Sequence, residues 1–497
     1  MKSACWGWRR FALLLLMSLA SAGSARAHVG SKDVFETVQA GPYRLFVTVR
    51  MPNVIPGVAT IEVRSSGASV SGIEITPVPI TGEASKNPPT PDAMTRSETD
   101  PAFYTGSLWI MASGSWEVKF AISGRAGLET AAVPVPAVPL AILKMQRGMG
   151  WTLAGLGLLL IVGMAGIVAA AVRESRLAPG IAPTAERTRR AMLVTAASVV
   201  VMGLMVWGGA KWWNVEAAGF ADGVYRPLTM TPTLVGNELG LAIEAYTPEN
   251  TRRVRSNQDF LPDHGHLMHL YAIRQPEMDA VFHLHPEMTG AGEFKMALPA
   301  MPAGTYKLYG DVVHASGFPE TLLAELNVPA TMLGGALAAE DARGMAQPLS
   351  KGELPTSFKL PDSYMMVWER PEAITAGTAY AFRFKLLNAT GKDATDVQPY
   401  LGMAGHAAFV KTDGTVFAHT HPEGSAAMQA VELANGKSGG GMDSMLGMDM
   451  AGMNMNHTMS SVVEFPYGFP TAGGYRVFVQ MKHGGVVETG VFDAFVR

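Results

Sequence analysis

The chain of 497 residues holds a single cysteine, Cys5. It falls in residues 1–27, which read as a secretory signal: "MKSACWGWRR" is a basic start, "FALLLLMSLA" an apolar core, and "SARA" ends in the A-x-A pattern that signal peptidase accepts. The exported protein would begin at His28 without a thiol. That excludes disulfides, iron–sulfur clusters, CxxCH haem attachment and thiolate metal sites. Charge is scarce as well: charged residues make up 16% and hydrophobic ones 48%, against about 25% charge in an average soluble protein. The shift is the one expected of membrane segments. Net charge is −3, and no basic cluster stands outside one short loop, which argues against a nucleic-acid partner. Histidine, finally, is absent from 29–263.

Two apolar runs, 150–172 and 191–210, have the length of about 20 residues that a membrane-crossing helix needs. Between them, residues 173–190 carry Arg173, Arg176, Arg187, Arg189 and Arg190, which the positive-inside rule places in the cytoplasm. Trp151, Trp207, Trp212 and Trp213 sit near the outer ends of the spans, where indole rings favour the interface. The expectation is a transmembrane hairpin over 150–210 in a bacterial inner membrane, with both large regions in the periplasm.

Those regions show short runs rich in Val, Ile, Tyr and Phe between Gly, Pro and Asn, such as "YRLFVTVRM", "TYKLYGDVV" and "YRVFVQM". This is the pattern of antiparallel sandwiches. The fold class expected is mainly β: three Ig-like antiparallel β-sandwiches, at 28–140, 226–330 and 360–497, plus the hairpin. The Ala/Gly/Pro-rich stretch 331–359 reads as a linker. In the first sandwich, "TGSLWIMASGSWEVKFAISGRAG" resembles the closing strands of YtkA-like and FixH-like periplasmic domains.

The two later sandwiches align as an internal repeat. "LMHLYAIRQPEMDAVFHLHPE" matches "AGHAAFVKTDGTVFAHTHPE", and "LPAMPAGTYKLYGDVVH" matches "FPYGFPTAGGYRVFVQMKH". His269, His283, His285 and His314 thus correspond to His406, His419, His421 and His483, and Tyr306 to Tyr475. Of the 12 histidines, these quartets take eight; His264 and His266 precede the first in "DHGHLMH". His-x-His on a strand points both imidazoles to one face, and a third from a neighbouring strand completes a three-nitrogen site suited to copper or zinc. Each quartet is expected to converge at one end of its own sandwich, with Glu287 and Glu423 available to orient a ligand ring. The bland alternative is that these are hydrogen-bonded packing groups at strand ends.

The second repeat carries an insertion at 426–461 with Met442, Met445, Met448, Met450, Met453, Met455 and Met459 around His457, and Met428 near its start. It is too rich in Gly, Asn and Ser to build a core and reads as a flexible loop. Thioethers are soft donors that favour Cu(I), and the string resembles the Met-rich segments of exported copper-resistance proteins and copper oxidases. The start "HVGS" resembles that of the copper-resistance protein C family and the copper polysaccharide oxygenases, which add a second histidine from the same domain. None exists in 29–263, so a complete brace within that domain is excluded.

The function expected is copper capture, buffering or delivery by a membrane-anchored protein, with copper ahead of zinc and a metal-donor or metal-acceptor protein as partner. It would work by ligand exchange rather than catalysis. Two other classes stay open: a pH-sensing assembly protein without metal, and a cupin-like metal enzyme, although the spacing from His285 to Glu287 and His314 departs from the cupin motif.

Overall fold

The computed structural model describes residues 32–246, 255–349, 354–436 and 459–497. The signal segment, His28, and Met442, Met445, Met448, Met450, Met453, Met455 and His457 lie outside the described residues. The fold is mainly β, with three Ig-like antiparallel sandwiches and a hairpin of two long helices.

In the first sandwich a five-stranded sheet with strands Val34–Ala40, Tyr43–Arg50 and Gly57–Gly67 faces a four-stranded one with Val70–Pro79, Gly114–Gly124 and Gly127–Ala137. Period-two burial of Tyr43, Leu45, Val47 and Val49 meets Val118, Phe120 and Ile122 across the core. The sandwich docks on the third one: Phe35 enters that core, its ring 5.9 Å from Tyr467, and the Thr37 N–H donates to the Glu423 carbonyl at 2.6 Å.

Helices Arg147–Glu174 and Ala185–Asp222 are long and apolar enough to cross a membrane, and Ala191 is the only buried residue in either. Apolar on all sides yet uncovered, they are consistent with membrane anchoring. Thr184 caps the second helix by accepting from the Arg187 N–H. The hairpin is closed at its base, where the Tyr225 N–H donates to the Pro139 carbonyl at 2.8 Å.

The second and third sandwiches each pair an outer four-stranded sheet with an inner one, and the inner sheets share a strand order. In the second the order is Phe260–Leu261, Gly304–His314, His269–Gln275, Ala280–Leu284, with Pro319–Val328 added on Gly304–His314. In the third it is Val397–Gln398, Gly473–His483, His406–Lys411, Phe417–Thr420, with Val486–Val496 added on Gly473–His483. Tyr306 and Tyr475 make matching hydroxyl bonds to the carbonyls of Pro302 and Thr471, four residues upstream, each at 2.8 Å.

Both inner sheets are buried on both faces. Leu270, Ala272, Phe282 and Leu308 pack into the core of the second sandwich, and Ala407, Phe409, Val477 and Val479 into that of the third. The alternate residues form a third core between the two inner sheets: Tyr271, Ile273, Val281 and Tyr309 against Ala408, Val410, Phe417 and Phe478. Tyr309 stacks on Phe417 at 4.3 Å. Arg476 crosses this seam, holding Asp493 with both arms of its guanidinium and the Met278 and Gln347 carbonyls of the other side. The four sheets therefore form one stack.

The stretch 331–359 is not a free tether. Ala342–Met345 joins the inner sheet of the second sandwich beside Ala280–Leu284, and Ser357–Lys359 opens the third sandwich. The start of the insertion is also ordered: Met428–Ala434 is a short helix, and Met459 packs on the core of the third sandwich.

Candidate metal centre

Strand register explains where each histidine goes. His269 lies opposite Asp311, and Tyr271 opposite His283. Cross-strand partners share a face, so His269, His283 and His285 all belong to the face carrying Tyr271 and Val281, which looks away from their own core. His406 lies opposite Gln480 and Ala408 opposite His419, which puts His406, His419 and His421 on the matching face of the third sandwich. The two faces meet, and their histidines form one cluster at the end of the seam. His314 and His483 are left out. Each is three residues beyond the cross-strand partner, Asp311 or Gln480, and an odd step turns a side chain to the opposite face. The expectation of two separate quartets is corrected accordingly.

Both excluded histidines are held by carboxylates. His314 bonds Asp259 at 2.8 Å and Glu320 at 3.0 Å. Burial works against its charge, but these two acids outweigh it and raise its pKa above the usual value. His483 stacks on Tyr364 at 4.0 Å and lies 3.1 Å from an Asp362 oxygen.

Two histidines that the repeat did not assign complete the cluster. Asp263-His264-Gly265-His266 is a tight two-residue turn closed by reciprocal backbone bonds between Asp263 and His266, with φ of +50° at His264 and +88° at Gly265. The turn Tyr400-Leu401-Gly402-Met403, six residues before His406, has the same bonds and signs of φ. The first turn aims His264 at the third sandwich, its ring 5.3 Å from His406 and 4.9 Å from His421. His266 stacks on His285 at 4.0 Å and meets Glu340 at 3.0 Å. The sequence signal was present: "HGH" repeats the His-x-His spacing of the two strands.

Three imidazoles have their protons fixed by their surroundings. His269 Nε2 faces the Asp263 carbonyl at 3.0 Å, an acceptor, so this nitrogen carries the hydrogen. His285 Nδ1 does the same toward the Asp341 carboxylate at 3.0 Å. His283 Nδ1 faces Gln480 Oε1 at 2.9 Å and the Tyr400 hydroxyl at 3.2 Å; Tyr400 spends its own proton on the Glu340 carbonyl, so Nδ1 must donate. Burial, reinforced in part by neighbouring imidazoles, holds the pKa of His269 and His283 well below the usual value and lowers that of His285, so the rings are neutral. Each then presents a bare lone pair on its inner nitrogen. One nitrogen from each of the three rings lies within 4.8 Å of the others, and His269 Nδ1 and His283 Nε2 are 3.0 Å apart.

His264, His406 and His421 form a second group, again with one nitrogen from each within 4.8 Å. Burial also lowers their pKa, strongly for His406 and His421. Among the described residues, neither nitrogen of the fully buried His406 has a hydrogen-bond partner. His419 lies between the groups, 5.4 Å from His269, His283 and His406 and 4.7 Å from His421, with Nε2 unpartnered and Nδ1 3.5 Å from Asp311. The construction is reciprocal: Asp311, beside His269, reaches the other sandwich's His419, while Gln480, beside His406, reaches His283.

A cavity of about 570 Å³ opens on the cluster past His266 and His285, with Glu287 on its rim; another of about 130 Å³ reaches His269, His419 and His421 from the side of the first sandwich. Glu287 is exposed, and Glu423 touches the first sandwich through its backbone. The rings of His285, His283 and His269 are oriented instead by Asp341, Gln480 and the Asp263 carbonyl.

No curated protein matches the chain. Solved structures align with it at very low similarity: a bacterial ice-binding adhesin of 1.5 MDa (7% identity, 91% of this chain and 98% of that one, TM-score 0.14), latent PorU from Porphyromonas gingivalis (8%, 94% and 34%, TM-score 0.14) and a β-glucuronidase from Parabacteroides merdae (6%, 93% and 77%, TM-score 0.15). None of these likenesses bears on fold or activity. The model of a domain of unknown function, DUF8832, matches residues 236–329 and 359–497, the two sandwiches that carry the histidines.

Proposed function

We propose that this is a membrane-anchored, periplasm-facing protein that captures, buffers or passes on copper at the buried histidine cluster. One observation carries the reading. The inner nitrogens of His269 and His283 face each other at 3.0 Å while the outer nitrogen of each ring donates elsewhere. Two lone pairs at that distance repel unless a cation lies between them, and metal–nitrogen bonds of about 2 Å put two ligands of one ion about 3 Å apart. Each outer N–H has the oxygen acceptor that metal-bound imidazoles have as a rule. His285 supplies the third nitrogen.

Neutral imidazole donors suit copper or zinc. Copper is favoured because the same chain carries a run of methionines at 442–459, soft donors for Cu(I). His266, half-exposed at the mouth of the larger cavity, gives an incoming ion a first ligand before His285, so transfer would proceed by ligand exchange.

The test is copper content of the full chain, purified in detergent, after dialysis against a weak chelator. His269→Ala with His283→Ala should lose tightly held copper. Copper retained at the wild-type amount in that variant would overturn the proposal.

A further inference from the structure

We infer that His264, His406 and His421 hold a second ion beside the first, so that the seam between the two sandwiches is a two-ion centre with His419 between its halves. The inference rests on the proposed metal-binding function and goes beyond it in number, place and consequence.

Unsatisfied buried nitrogens point to the ion. His406 is fully buried with both ring nitrogens unpartnered, and His264 Nε2 is unpartnered as well. A buried polar group without a partner costs about 1–3 kcal/mol; among the described residues nothing bonds either His406 nitrogen, and the Asp263 carboxylate stands 3.9 Å from His264 Nε2, beyond hydrogen-bond reach. A metal ion accepts a lone pair from each ring at once. His419 Nε2, also unpartnered, can complete either half of the centre.

The turn that delivers His264 points the same way. Its φ of +50° is a conformation uncommon outside glycine. The equivalent turn holds Leu401 at φ +49°, so the backbone there accepts an apolar residue and does not require histidine. His264 is the member whose ring reaches across the seam to His406 and His421 of the other sandwich. Neither sandwich alone owns this site. Occupying it joins the two, and pulling them apart would release the ion.

The halves are adjacent: the His264 ring lies 6.1 Å from His269, and His283 lies 6.1 Å from His406. Two Cu(II) ions so placed couple magnetically. The experiment loads the full chain with Cu(II) salt, counts copper per chain and records electron paramagnetic resonance spectra. Wild type should show a coupled pair. His264→Leu, which installs the residue already present at the equivalent turn, should bind one ion fewer and show an uncoupled signal. His269→Ala should also lose the coupling while keeping the ion at His406 and His421. An unchanged copper count in His264→Leu, or a fully loaded wild type with only isolated signals, would overturn the second ion and leave the first intact. Copper binding that is indifferent to His269, His283 and His285 together would overturn the functional reading itself.

Discussion

His283 and Gln480 lie 197 positions apart in sequence, yet the ring Nδ1 of one rests 2.9 Å from the amide oxygen of the other. The contact crosses from the second sandwich to the third, so a side chain of one sandwich fixes which nitrogen of the other is free to bind. Orientation of the ligands is thus a property of the assembled pair.

Asp341→Ala removes the carboxylate that accepts both the backbone N–H and the ring N–H of His285. Without it the ring can rotate or take the other tautomer. Metal affinity should fall about 10–100-fold, measured by competition with a chromogenic chelator, with the circular dichroism spectrum unchanged. An affinity equal to wild type would show that Asp341 has only a packing role.

The metal-free protein should weaken in acid. Burial depresses the folded-state pKa of His269, His283, His406 and His421 strongly, and that of His264 and His285 to a lesser degree. The unfolded chain therefore takes up protons first, at its ordinary value of about 6.5. The stability these groups contribute is fully present above that pH and is lost progressively as pH falls toward their folded values. Melting of the chelator-treated protein should occur at a lower temperature at pH 5.5 than at pH 7.5. Bound copper should oppose the change, because ions and protons compete for the same nitrogens.

His314 should behave in the opposite sense and leave copper alone. Its pKa is raised by Glu320 and Asp259 against the effect of burial, so its contribution is fully present below about pH 6.5 and vanishes as pH rises through the folded value. His314→Gln should cost about 1–3 kcal/mol at pH 5.5, less at pH 8.5, and retain the wild-type copper count. A loss of copper would return His314 to the ligand set.

Arg476→Ala strips the seam of its clamp, leaving Asp493 without a counter-charge and the Met278 and Gln347 carbonyls without their donor. Breaking a buried ion pair on one side costs about 3–5 kcal/mol; the partial exposure of Asp493 puts this one toward the lower figure. The urea midpoint of the variant should drop, and saturating copper should recover part of the loss, since ions held across the seam would bind only the docked state.

Much of this could be read from the residues themselves. Runs such as "YRLFVTVRM" became strands because their alternation is strong, and the two long apolar runs became helices. The His-x-His spacing correctly placed both rings of a pair on one face. Which face, and against what, could not be read locally: Tyr271 and Val281 resemble core residues of their own sandwich, and only the docking of two inner sheets shows that they belong to a third core. His314 misled for a similar reason, since its distance from Tyr306 matches that of His483 from Tyr475 while the odd step from Asp311 depends on a register set across strands. The His264 turn was legible in principle, because Asp-His-Gly-His stands six residues before His269 just as Tyr-Leu-Gly-Met stands six before His406.

The bond from Tyr225 to Pro139 closes the base of the helical hairpin. With the helices in a bilayer, the β-structure does not hang from it on a leash. The first sandwich grips the third through Phe35 and Thr37, and the third is fused to the second along the histidine seam. The β-body is therefore one unit, and the mouth at His266 moves only as that unit moves. A hairpin set in a bilayer would confine that unit, mouth included, to movement in two dimensions.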